Sequence, residues 1–177
     1  MQGKSYKANC TIPRTELRYI RVLHYGFDGK VKSGELVCHQ DIADDLIEIF
    51  QELYKAHYPI ERIQLIDDYN ADDEQSMLHN NTSCFNYRRV AGSKTLSYHS
   101  QGKAIDINPL YNPCVKRLRN GSTSVSPKTG RAYSNRSKTF KYKIDHNDLV
   151  YKLFKKHGFT WGGDWKSLKD YQHFEKK

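Results

Sequence analysis

Apolar residues recur at one-face helical spacing between Asp41 and His57. Ile42, Leu46, Ile49, Phe50 and Leu53 follow i, i+4, i+7, i+8 and i+11. The pattern predicts an amphipathic helix capped by Asp41 and stopped before Pro59. A second helix is predicted from Asn147 to His157, with Asp145 as cap and Leu149, Val150, Leu153 and Phe154 as its apolar face. Gly158 suits the position just past its end. Shorter patterns read as strands. Ile63 to Ile66 is a short apolar run, and Phe159 to Trp161 is another. Lys103 to Asn108 alternates, with Ile105 and Ile107 on one face and Ala104, Asp106 and Asn108 on the other. Pro109 ends it. Asn120 to Ser137 is rich in Ser, Thr, Gly and Asn and reads as a long loop. Helices and strands mix without regular βαβ alternation, so the expected class is α+β.

The chain has 177 residues, which predicts a single compact domain. Residues 1–40 are expected to be an N-terminal segment packed on a core of residues 41–177. Aromatic residues make up 12% of the chain, which argues against wholesale disorder. No apolar run reaches the length of about 18 residues that a transmembrane helix needs. The opening Met1 to Ser5 shows no apolar stretch of a signal peptide. A monomer is expected.

Charge adds one feature. The net charge is +9, and the segment from Val115 to Lys143 holds nine basic residues and no acidic one. Such a stretch suits a polyanion or is simply a solvated basic loop. No nucleic-acid-binding signature accompanies it, so nucleic acid is not the expected partner. The four cysteines, at 10, 38, 84 and 114, form no C-x-x-C pair. Buried free thiols and two disulfides both remain open. The acidic run from Asp67 to Glu74 lacks the ligand periodicity of a calcium loop and reads as a solvated or internally bonded loop.

The chemistry concentrates around Ser97 to Asp106. If Ala104 to Asn108 is a strand, Asp106 points away from the apolar face, where it needs a partner or a cation. His99 precedes it across Gly102, which can turn the chain back. A third ligand is available in the tail, Asp170-Tyr171-Gln172-His173-Phe174-Glu175. Two histidines and one carboxylate with an open fourth position form the ligand set of a catalytic zinc site. Asp170, three residues before His173, reaches the same point only if the chain bends between them. Taken singly, His99 also suits a surface or core position, and Asp106 also suits an arginine partner.

Two separated motifs change the weighing. Ser97-x-His99-x-x-Gly102-x-Ala104-x-Asp106 resembles the S-x-H-x-x-G-x-A-x-D signature of the M15 peptidases. These are the D-alanyl-D-alanine carboxypeptidases and dipeptidases, with the related L-alanyl-D-glutamate endolysins. The resemblance returns in Gly158-Phe159-x-Trp161-Gly162-Gly163-Asp164-Trp165 and Asp170-x-x-His173-Phe174, and extends upstream to Asn80 to Arg88. It implies a small antiparallel sheet bearing one catalytic zinc ion, with flanking helices, the fold shared with hedgehog-type domains. It implies His99, Asp106 and His173 as ligands, Asp170 as general base and Arg88 as the cation facing the oxyanion. Ser97 is a substrate contact or a loop-orienting residue. Trp161 and Tyr171, with Trp165, wall the cleft or fill the core. Asp164 and Glu175 are candidates to orient the ligand histidines. The implied function is hydrolysis of an amide bond in peptidoglycan stem peptides, as a carboxypeptidase or an endopeptidase. The substrate class implies the cell envelope, periplasmic or secreted. The competing reading is a non-catalytic wall-binding or polyanion-binding module.

Overall fold

The computed structural model describes residues 1–90 and 92–177. In chain order the elements are β1 (Leu17–Tyr25), β2 (Val31–His39), α1 (Gln40–Lys55), β3 (Arg62–Ile63), α2 (Asp73–Leu78), β4 (Asn81–Thr82) and β5 (Ala104–Asp106). They continue as β6 (Cys114–Arg117), β7 (Thr123–Ser126), α3 (Leu149–Lys156), β8 (Thr160–Trp161), β9 (Lys169–Asp170) and β10 (His173–Glu175). The class is α+β. No helix among the described residues is long and apolar enough to cross a membrane.

The long β1–β2 hairpin dominates the N-terminal part, with Leu17 opposite His39 and Tyr25 opposite Val31. Its inward face buries Ile20, Val22 and Leu36 beneath Ile42, Leu46, Ile49, Phe50 and Leu53 of α1. Each such side chain contributes about 1.5–3 kcal/mol by leaving water. The same core takes in Ile105, Phe154, Phe159 and Phe174. The hairpin therefore shares one hydrophobic core with the C-terminal elements.

Both predicted helices are present, with shifted ends. His39 rather than Asp41 caps α1, its ring Nδ1 accepting from the Asp41 amide at 3.2 Å. The helix ends at Lys55, and His57 adopts a left-handed conformation before Pro59 is reached. Asp148 rather than Asp145 caps α3, accepting from Val150 N at 2.8 Å. The Ile63–Ile66 run is only half strand: β3 stops at Ile63, and Ile66 begins a 3-10 turn through Tyr69. The Asn120–Ser137 loop is largely structured. It contains β7 and a 3-10 segment from Lys128 to Tyr133.

Two three-stranded antiparallel sheets position the site. One runs β5-β10-β8 and the other β7-β6-β9. In the first, His173 faces Asp106 and Phe174 faces both Ile105 and Trp161. Directly opposed residues share a face and neighbours along a strand alternate. Asp106 and His173 therefore point to one side, while Ile105, Phe174 and Trp161 point into the core. In the second sheet, Cys114 faces both Ser126 and Asp170. The chain leaves this sheet at Asp170 and enters the other at His173. That change of sheet is the bend required for Asp170 and His173 to meet. Gly162 makes the close packing possible, because a Cβ there would lie 2.5 Å from the Asp170 carbonyl oxygen.

All four cysteines are free thiols, with Cys38 and Cys84 buried. Burial pushes the Cys38 thiol up to about 12.

Candidate metal centre

His99 sits on a short 3-10 turn, Tyr98–Gln101. Ser97 caps this turn, its hydroxyl accepting from the His99 amide at 3.3 Å. Gly102 closes it in a left-handed conformation, φ +68°, and a Cβ there would meet the His39 nitrogen at 2.7 Å. The turn is thereby docked against the end of β2, with His39 N donating to Gly102 O at 2.8 Å.

Three donor groups converge. His99, Asp106 and His173 are all buried, and one ligand atom from each lies within 4.8 Å of the others. His99 Nε2 is 3.3 Å from Asp106 Oδ2 and 3.2 Å from His173 Nδ1. His173 Nδ1 is 3.1 Å from Asp106 Oδ1. The far nitrogen of each ring is held from behind. His99 Nδ1 lies 2.6 Å from the Cys84 carbonyl oxygen, which can only accept. His173 Nε2 lies 3.0 Å from Glu175 Oε2. Both outer nitrogens therefore carry the proton in the neutral rings. The inner nitrogens turn lone pairs towards each other and towards a carboxylate.

Such a cluster is stable only around a positive charge. Burial opposes ionisation of Asp106, but His99 and His173 outweigh it and hold the carboxyl well below its usual range. Burial alone would lower His173, yet hydrogen bonds to Asp106 and Glu175 raise it to about 10. Two imidazoles and one carboxylate suit zinc, which favours nitrogen and oxygen donors and keeps an open position in catalytic sites. The donor set fits that ion.

Beside the triad lies a cleft of about 410 Å³. Asp170 lines it. Burial first, and the Asp106 charge second, raise its carboxyl to about 6. Its Oδ1 is buried without a hydrogen-bond partner. Arg88 lines the same cleft, 2.8 Å from Asp73 Oδ2 through one guanidinium arm, and its Nε is also buried without a partner. Gln172, at 3% exposure, adds a third orphan, its Oε1. Each unpaired buried polar group costs about 1–3 kcal/mol. Three of them around one cleft mark a surface organised for contacts beyond the folded chain itself.

The structure sorts the remaining sequence candidates. Ser97 lines the cleft. Trp161 does not: it is 3% exposed, its indole donates to Tyr171 O at 3.0 Å, and its strand register turns it into the core. Tyr171 is also outside the cleft lining, packed against the core and under the Arg136 guanidinium at 4.3 Å. Trp165 lines the cleft together with Tyr98, and its ring is 5.2 Å from that of His173. Asp164 orients no ligand histidine; it lies 2.8 Å from exposed His146.

Several cleft residues were not singled out as site candidates from the sequence. Asp73 belongs to the acidic run, and its pairing with Arg88 has no signature at a separation of fifteen positions. Cys114, Lys116, Ser124 and Ser126 all line the cleft from one face of the β6–β7 hairpin. The two four-residue strands, Cys-Val-Lys-Arg and Thr-Ser-Val-Ser, hold mostly Lys, Arg, Ser and Thr and are too short to show a period, which concealed them.

The basic stretch is also divided by the fold. Arg136 is internal, bonded to Tyr111 O, Asn112 Oδ1 and Ile144 O. Burial lowers it to about 10. Lys143 lies 3.6 Å from Asp145. Arg117, Arg119, Lys128 and Arg131 are exposed on or beside the hairpin.

Residues 91–176 match the model of a peptidase family, Peptidase_M15_4, described as D-alanyl-D-alanine carboxypeptidase. The match covers just under half of the chain and includes His99, Asp106, Asp170 and His173. No curated protein and no solved structure matches the chain.

Proposed function

We propose that the protein, whose residues 91–176 match a family model described as D-alanyl-D-alanine carboxypeptidase, hydrolyses an amide bond of peptidoglycan stem peptides with one catalytic zinc ion. The observation that carries this reading is the convergence of three buried electron-pair donors beside a cleft that also holds the unpartnered Asp170 Oδ1. When bound by His99, Asp106 and His173, zinc would supply a Lewis acid that acidifies water and polarises the scissile carbonyl.

The chain's own groups supply the rest. Asp170 takes a proton from the attacking water as its oxygen bonds to the carbonyl carbon. It returns that proton to the amine nitrogen as the C–N bond breaks. A raised carboxyl suits a base that must also act as an acid near neutrality. Arg88 faces the negative charge that develops on the carbonyl oxygen, with Asp73 fixing its guanidinium. A preorganised cation of this kind needs no reorganisation at the moment of reaction. Met77, Leu96, Trp165 and Leu168 give the cleft an apolar side for small side chains such as that of alanine.

Acting on that substrate, the protein would work at the cell envelope, periplasmic or secreted. The test is digestion of purified peptidoglycan by the zinc-loaded protein, with products read by mass spectrometry. Free D-alanine identifies a carboxypeptidase. New internal termini identify an endopeptidase. No product with zinc demonstrably bound overturns the catalytic reading in favour of a wall-binding or polyanion-binding module.

A further inference from the structure

Gln172 stands directly before His173, yet both side chains line the cleft. In a regular strand consecutive side chains face opposite sides. The alternation is broken here because residues 171 and 172 form the bend between β9 and β10. The Gln172 carbonyl oxygen accepts from Ile107 N at 3.0 Å. Its backbone is thereby anchored to the sheet in which His173 faces Asp106.

The fold does not satisfy the Gln172 side chain, which is 3% exposed. Its amide nitrogen donates to Met77 Sδ at 3.4 Å, and a thioether is a weak acceptor. Among the described residues its Oε1 has no hydrogen-bond partner. An unpaired buried acceptor costs about 1–3 kcal/mol, and an apolar side chain of similar shape would avoid that cost. The unpaired atoms of Asp170 and Arg88 belong to groups with a part in the proposed chemistry. Gln172 has no such part, because a side-chain amide carries no charge and no titrating proton. Its free oxygen offers one thing, an acceptor for an N–H. Met77, on the other side of the amide, is unbranched and itself lines the cleft, so it can yield to an entering chain.

We propose that Gln172 Oε1 accepts a main-chain N–H of the bound peptide, at an amide other than the scissile one, and so sets which amide lies over the metal centre. The proposal rests on the peptidase reading and makes Gln172 a specificity-determining residue of the same cleft.

The test uses the zinc-loaded full chain and the stem pentapeptide L-Ala-γ-D-Glu-L-Lys-D-Ala-D-Ala. Each amide in turn is replaced by an ester, which keeps the course of the chain and removes one N–H. Mass spectrometry identifies the bond cut in the all-amide peptide, and the ester at that bond is set aside. The wild type should cut one of the remaining ester peptides about tenfold less efficiently, the worth of one hydrogen bond. Gln172→Met should bind zinc and melt as the wild type does, cut the all-amide peptide about tenfold less efficiently, and treat that ester and the amide alike. Gln172→Leu provides the same comparison should the methionine variant fold poorly. A wild type indifferent to every ester overturns the proposal, and so does an ester effect that survives in both variants. If the peptides bind and none is cut, the peptidase reading fails alone. Calorimetry on the same series then judges Gln172: a discrimination lost in the variants supports it, and equal binding of every ester overturns it. Binding of no peptide overturns both.

Discussion

His173 Nε2 lies 3.0 Å from Glu175 Oε2, two positions along the same strand and on the same sheet face. The period of two in β10 thus places the proposed ligand histidine and the carboxylate behind it side by side. The carboxylate fixes the proton on the outer nitrogen and leaves Nδ1 as the donor atom. Glu175→Ala should weaken zinc binding about 10–100-fold. Glu175→Gln keeps an acceptor and should lose less. Competition with a chromophoric chelator measures both, and a Glu175→Ala affinity equal to wild type would remove Glu175 from this role.

Asp170 combines burial, a raised carboxyl and an unpartnered oxygen. Such a group costs stability and is retained for chemistry. Asp170→Asn should leave zinc bound and the melting temperature unchanged or higher, because the buried charge is gone. Peptide hydrolysis should fall by at least about 10²-fold, the usual contribution of a general base. A variant that melts earlier while keeping its turnover would make Asp170 a structural residue.

The parts legible in the sequence are those whose signal is periodic or local. The α1 and α3 faces follow the helical period, and β5 follows the period of two. The candidate metal triad is carried by short motifs, two of its members within one turn and strand. The β1–β2 hairpin escaped for a physical reason. Its inward face carries a buried polar residue, His24, bonded to Ile60 O at 2.9 Å. Its outward face carries Tyr19 at 53% and Leu23 at 50% exposure. Alternation of polarity is blurred on both faces, although alternation of burial is clear. The cleft wall on β6–β7 was hidden because it is built from residues that also build loops. Asp73 and Arg88 meet only through the tertiary fold.

Trp161 and Trp165 separate core from cleft within five residues. Trp161 shares its face with Phe174 and Ile105, so Trp161→Ala should destabilise the fold by about 3–5 kcal/mol. Trp165 lines the cleft and is only partly buried. Trp165→Ala should melt close to wild type and raise KM for peptide substrates several-fold. Denaturant unfolding and steady-state kinetics on both variants decide the matter, and the opposite pattern would reverse the assignment.

Asp148 gives the fold a pH dependence away from the metal centre. Its carboxylate caps α3 and lies 3.1 Å from the Tyr58 hydroxyl. Burial raises it to about 6, more than its hydrogen bonds to Val150 and Tyr58 lower it. The folded state therefore holds the proton more tightly than the unfolded chain, where an aspartate titrates near 3.9. Stability from this group is complete below about pH 4, declines as pH rises towards 6, and is flat above. The full shift corresponds to about 3 kcal/mol, and partial solvent access reduces it to about 1–2 kcal/mol. Asp148→Asn keeps an oxygen to accept from Val150 N and has no proton to lose. The difference in unfolding free energy between Asp148→Asn and wild type should therefore move in the variant's favour between pH 4 and 6.5, by about that amount. Urea titrations at three pH values measure it. A difference that is constant across the range would show that the Asp148 carboxyl titrates in the folded protein as it does in the unfolded chain.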